Sequence, residues 1–193
     1  MSKAKPALIL VDIQQGFDHP RWGARNNPQA ESRAALLLEE WRRQKAPIFH
    51  VQHSSRIPGS PLAPGQPGWE IKQEVAPLSG ETRLTKNVNS CFIGTPLEAE
   101  LRKKHITDVV ICGLTTDHCV STTVRMAANL GFNVFVPSDA TATFERSGPE
   151  GEQYSAQQMH QTALASLHDE FATVASSDQI IDSVFRNVQA QRA

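Results

Sequence analysis

Short, wholly apolar blocks alternate along this chain with longer stretches in which apolar residues recur at helical intervals. Ala7-Leu8-Ile9-Leu10-Val11 is the first such block, and the segment from Thr107 to Cys112 is nearly as apolar. Runs of this length without polar alternation are expected of strands covered on both faces. From Pro28 to Lys45 the spacing of Ala34, Leu37, Leu38 and Trp41 predicts a helix. The alternation then continues with a strand from Pro47 to Val51 and a short strand from Glu81 to Lys86. A helix runs from Pro96, a first-turn proline, to about Lys104. After the strand from Thr107 to Cys112 comes a helix from about Cys119 to Leu130, stopped by Gly131. Asn133 to Pro137 reads as a strand, Ala156 to Leu167 as a helix and Phe171 to Val174 as a final strand. Ser177 or Asp178 caps a closing helix to about Val188. Strands separated by helices predict an α/β fold: a single-domain three-layer sandwich, Rossmann-like, around a mostly parallel central sheet.

Chemistry enters where polar residues interrupt this pattern at strand ends. The run Ile111-Cys112-Gly113-Leu114-Thr115-Thr116-Asp117-His118-Cys119-Val120 carries a strand through a glycine turn into a helix. A thiol in the first turn of a helix feels unpaired N–H groups and the positive end of the macrodipole, so a depressed thiol pKa is expected for Cys119. Cys112, inside the apolar strand, reads as core. The first strand ends in Asp12 and the third in Lys86. If these strands are parallel neighbours, Asp12, Lys86 and Cys119 share the sheet edge where open α/β folds keep their ligand crevice. A thiolate could then attack a carbonyl, a carboxylate move the proton and an ammonium hold the charge.

With these pieces in view, the chain resembles the isochorismatase-like cysteine hydrolases, which include nicotinamidases, N-carbamoylsarcosine amidohydrolase and ureidoacrylate or biuret amidohydrolases. The resemblance is carried by Asp12-Ile13-Gln14-Gln15-Gly16-Phe17, by Lys86 followed by Ser90, Phe92 and Thr95, by Gly113 to Val120, and by Ser138-Asp139-Ala140. It implies a triad of Asp12, Lys86 and Cys119 acting through a thioester, a cis peptide between Leu114 and Thr115, and an oxyanion hole formed by the N–H groups of Thr115 and Cys119. It also implies a homo-oligomer, a dimer or a tetramer. Enzymes that hydrolyse the vinyl ether of isochorismate resemble this chain but lack the cysteine, so a C–N bond in a small amide, carbamoyl or ureide substrate is the expected target. Vinyl-ether hydrolysis and a non-catalytic binding protein of the same fold are the alternatives.

Nicotinamidases place an Asp-x-His pair after the second strand, where this chain has Gln52 and Ser54. No metal and no other cofactor is therefore expected. Phe17, Gln14, His53, Trp69, Ser90 and Phe92 are candidates for the substrate pocket, with Trp22 and Phe144 as further aromatic wall residues. The Pro- and Gly-dense segment 56–69 reads as a lid or a subunit contact. His118, Asp139, His160 and His168 are expected to be structural.

Composition narrows the partners. Nineteen Lys and Arg against 20 Asp and Glu give a net charge of −1, which offers no basic footprint for nucleic acid or an anionic membrane. Three cysteines without C-x-x-C spacing, and an opening apolar run too short for a signal or a span, lead to an expected cytoplasmic, reduced setting.

Overall fold

The computed structural model describes residues 4–186. Val188, the expected end of the closing helix, lies outside them. The elements are β1 (Ala7–Val11), α1 (Ala30–Gln44), β2 (Ile48–His53), β3 (Thr82–Lys86), α2 (Leu97–Lys103), β4 (Asp108–Leu114), α3 (Ser121–Asn129) and β5 (Asn133–Pro137). There follow β6 (Thr141–Ala142), a hairpin of β7 (Arg146–Ser147) and β8 (Gln153–Tyr154), then α4 (Ala156–Leu167), β9 (Thr173–Ala175) and α5 (Ser177–Ile181). The two-residue strands β6, β7 and β8 were not expected from the sequence, because two residues are too few to display an alternation.

The central sheet has the order β3-β2-β1-β4-β5-β9, with β6 pairing to the far end of β4, and every pairing in it is parallel. This is the α/β architecture that the alternation of strands and helices predicts. One expectation needs correction: β3 is not a neighbour of β1, because β2 lies between them. β2 and β4 each run two residues beyond their apolar blocks. Pairing with β3 carries β2 through Gln52 and His53, and pairing with β6 carries β4 through Gly113 and Leu114.

Alternate residues of each strand feed two separate cores. Ile9, Val11, Phe49, Val51, Val109 and Ile111 pack with residues of α2, α3 and α4. Leu8, Leu10, Ile48 and Val110 pack under α1 and α5 with Leu37, Leu38, Trp41 and Ile180. Trp41 anchors the second core, fully buried, with its indole N–H donated to the Pro6 carbonyl at 2.9 Å.

Helix boundaries follow local hydrogen bonding. α1 ends where Lys45 turns left-handed, at φ 50°. The cap of α5 is Ser176, not Ser177 or Asp178: Ser176 and Gln179 form a reciprocal capping box. β9 begins two residues later than expected, because Phe171 and Ala172 still donate to the Leu167 carbonyl as the chain leaves α4. No helix among the described residues is long and apolar enough to cross a membrane.

Candidate active site

In an open parallel sheet the strand order reverses at one place, and the carboxyl ends on either side of it leave a crevice. Here that place lies between β1 and β4. β1 delivers Asp12 to it in a left-handed conformation, φ 52°, which aspartate tolerates better than most residues. β4 delivers Gly113, where a Cβ would lie 2.0 Å from the Val11 carbonyl oxygen, so glycine alone permits the two backbones to approach. The peptide between Leu114 and Thr115 is cis.

The chain then enters a single π turn, Thr116–Val120, before α3. Val120 donates to the Thr115 carbonyl five residues back, at 3.1 Å. Cys119 is therefore in the π turn preceding the helix, not in the first α turn as expected. The thiol is buried, and it lies on the same side of the sheet as the core shared by α2, α3 and α4.

Lys86 spans the width of β2 to reach the same point. Its Nζ lies 2.6 Å from Asp12 Oδ2, and both side chains are fully buried. His53, directly across from Lys86 in the register of β2 and β3, places Nδ1 3.3 Å from the same Nζ. An ammonium has no lone pair, so His53 Nδ1 accepts this bond and the ring proton resides on Nε2. One ligand atom each of Asp12, His53 and Cys119 lies within 4.8 Å of the other two. Asp12 Oδ1 is buried, with no nitrogen or oxygen donor reaching it among the described residues.

Electrostatics overturn the expected thiol shift. Burial and the Asp12 carboxylate push the Cys119 thiol upward, against a smaller downward pull from Lys86. A buried anion needs compensation that a single turn cannot supply. The site therefore rests as thiol, carboxylate and ammonium. Burial is the largest single influence and opposes the Lys86 charge, but Asp12, Cys119 and Cys91 together outweigh it and keep the ammonium protonated. His53 is held neutral by burial, with Lys86 adding to the effect and Asp12 opposing it.

The remaining sequence candidates divide. Gln14 is fully buried and its amide is spent on backbone: it donates to the carbonyls of His53 and Trp69 and accepts from His53 N–H at 2.7 Å. It fastens segment 56–69 to the sheet edge. Gln52 donates to the same Trp69 carbonyl and accepts from Arg83. The segment is further packed through Gly16 and Gly68, where a Cβ on Gly68 would lie 2.7 Å from Gly16 Cα. Phe17 stacks with Phe144 and packs at a tilt against Trp22, in a cluster that includes Leu114. Phe92 stacks on Phe132 at the edge of the Cys119 core. Ser90 Oγ accepts from Phe92 N–H at 3.2 Å.

His118 is exposed, with Nε2 3.6 Å from Asp117 Oδ2. Asp139 accepts from both the N–H and the hydroxyl of Ser177 and pairs with Arg33, and His160 bonds Thr116. His168 Nδ1 accepts from the Val174 N–H. Cys112 is fully buried, and burial pushes its thiol up to about 12.

One residue escaped the sequence reading. Asn89, three residues beyond Lys86, points Nδ2 at the Cys119 sulfur, 3.6 Å away. Its position in the loop leaving β3 toward the crevice was the available signal. Thr115 Oγ1 is buried without a partner among the described residues.

A divalent metal among Asp12, His53 and Cys119 would compete with partners already in place. Gln52 and Ser54 stand where an acid and a histidine would be needed, and the Gln52 amide is already engaged. A cation among Asp12, His53 and Cys119 would meet the Lys86 ammonium, already 2.6 Å and 3.3 Å from two of them.

Comparison with known proteins gives the family and the fold. The isochorismatase domain model matches residues 6–179. The isochorismatase family protein YrdC of Bacillus subtilis (strain 168) is 47% identical over 182 residues, covering 94% of this chain and 97% of that protein. A crystal structure of an isochorismatase-family hydrolase from Chromobacterium violaceum superposes with a TM-score of 0.92 at 44% identity, covering 96% of each chain. N-carbamoylsarcosine amidase from Thermoplasma acidophilum superposes at 0.74 and 28% identity, covering 90% of this chain and 97% of that one. With a fold, a crevice and a whole-length likeness in agreement, this chain belongs to the isochorismatase family of hydrolases.

Proposed function

We propose that this chain is a metal-independent cysteine amidohydrolase that cleaves a C–N bond in a small amide, carbamoyl or ureide substrate. The observation that carries the reading is the meeting of a buried Asp12–Lys86 pair with the Cys119 thiol, beside an Asp12 oxygen that no nitrogen or oxygen donor reaches. Asp12 Oδ1 takes the thiol proton as Cys119 Sγ attacks the substrate carbonyl. Lys86 compensates the charge that passes from carboxylate to sulfur. The N–H groups of Thr115 and Cys119 are the donors for the developing oxyanion. Asp12 then delivers the proton to the leaving nitrogen, the C–N bond breaks and a thioester remains. Water attacks the thioester, giving up its proton through Asp12, and the thiol is restored. The likeness to an N-carbamoylsarcosine amidase supports C–N chemistry on this fold.

The test is ammonia or amine release from a panel of small amides and ureides, with wild type, Cys119→Ala and an EDTA-treated sample run together. Release by wild type that survives EDTA and falls at least about a thousandfold in Cys119→Ala is expected, as for removal of a covalent nucleophile. Release abolished by EDTA would overturn the metal-free reading. Isochorismate hydrolysis undiminished in Cys119→Ala would replace the proposal with acid-catalysed vinyl-ether cleavage.

A further inference from the structure

We infer that Asn89 is a catalytic residue, its carboxamide N–H donating to the Cys119 sulfur and stabilising it as the thiolate once Asp12 has taken the proton. The inference rests on the cysteine-hydrolase reading above and adds a fourth member to its machinery. Asn89 Nδ2 lies 3.6 Å from Sγ, an ordinary separation for an N–H donor facing sulfur. Only the amide nitrogen can serve here, since the carbonyl oxygen would repel a sulfur anion.

The surroundings explain why such a donor is needed. The charged and titratable groups facing the thiol are Asp12 from the end of β1, His53 from β2 and Lys86 from β3, with Cys91 interacting with the same Asp12–Lys86 pair. On the π turn itself, Asp117 is occupied by Thr143 and Arg146, and His118 faces solvent. Lys86 places two of its three donors on Asp12 and His53. Its remaining pull on the thiol is outweighed by burial and the Asp12 carboxylate, so a further donor to the sulfur adds to it. Asp12 and Lys86 are fully buried, whereas Asn89 is exposed. The amide therefore reaches the sulfur from the solvent side, which is the side a substrate must enter. A donor there acts on the attacking sulfur without disturbing the buried pair beneath it.

The experiment is the pH dependence of iodoacetamide alkylation at Cys119, followed by intact mass in wild type, Asn89→Ala and Asn89→Asp. Cys119→Ala serves as the blank for Cys91 and Cys112. Loss of one hydrogen bond to an anion is expected to raise the alkylation midpoint of Asn89→Ala by about one pH unit, or about tenfold less thiolate at neutral pH. In Asn89→Asp the midpoint should rise further, because a carboxylate replaces the donor. Where a substrate is turned over, kcat should fall in the same order. An unmoved midpoint in Asn89→Asp overturns the inference, since a carboxylate within reach of the sulfur must alter its ionisation. A midpoint moved in Asn89→Asp but not in Asn89→Ala also overturns it, by showing proximity without donation. Alkylation needs no substrate, so this result stands apart from the outcome of the amide panel.

Discussion

Asp12 and Lys86 illustrate how a single buried contact serves both stability and chemistry. Neither side chain is exposed, and each is the other's compensating charge. Removing one partner strands a buried charge, at a cost of about 3–5 kcal/mol, whereas removing both leaves none. Lys86→Met alone is therefore expected to lose stability in that range by urea unfolding. The double variant Asp12→Asn with Lys86→Met should recover much of the loss. Costs that simply add would show that the pair is not coupled in this way. The same logic makes Cys119→Ala mild for folding, since a neutral thiol is replaced by a slightly smaller neutral group. Legibility also differed residue by residue. Asp12 could be read because it ends an apolar run, Lys86 because it closes a short strand, and Cys119 because a polar stretch after a glycine turn leads it into a helix. Gln14 could not be assigned correctly, because its buried partners are backbone groups 39 and 55 positions away.

At the scale of elements, the junction of β1 and β4 is the constraint on which the crevice depends. Gly113 has φ 124°, and a Cβ there would lie 2.0 Å from a backbone oxygen, which no rotamer change can relieve. Gly131, at the end of α3, has φ 84°, but a Cβ there meets nothing within 4 Å. Gly131→Ala should therefore cost only the left-handed strain, about 1–2 kcal/mol. Gly113→Ala should cost at least about 3 kcal/mol or prevent folding. Similar unfolding free energies for the two would contradict the close approach of β4 to β1. The strands β1 to β5 and β9 and most helices were legible because apolar runs and caps are local signals. The π turn was not, since its hydrogen bond from Val120 to Thr115 forms only around the chain leaving β4.

Across the whole molecule, buried titratable groups set a bell-shaped dependence of stability on pH. Burial lowers the pKa values of His50, His53 and His160 below 6.5. Glu31 is brought down to about 2, against the effect of burial, by Arg25 and Lys72. Glu81 likewise falls to about 2, through Arg42, the Leu78 N–H and His50. For each group the unfolded chain binds the proton more readily, so stability declines as pH falls. The histidine contribution is present above 6.5 and is lost as pH drops through the lowered values. The carboxylate contribution is present above 4.5 and is lost toward 2. At the alkaline end, Cys91 and Cys112, raised by burial from 9.0 to about 12, remove stability as pH rises through that window. A thermal unfolding series should show Tm highest between about pH 7 and 9, with successive declines below 6.5 and 4.5. A flat Tm from pH 7 to 4 would contradict it.

The sequence alone determined the strands β1 to β5 and β9, the α/β class, the placing of Asp12 and Lys86 at strand ends and that of Cys119 beyond the glycine turn that follows a strand. Hydrophobic periodicity and caps are local properties, written wherever the chain must bury one face. Tertiary structure alone decided that β2 separates β1 from β3, and that His53 consequently stands beside Lys86. It alone raised the Cys119 thiol and brought Asn89 to its sulfur. Strand order and the charge environment of a buried atom arise from residues far apart in the chain, so they exist only once the sheet has closed around the crevice.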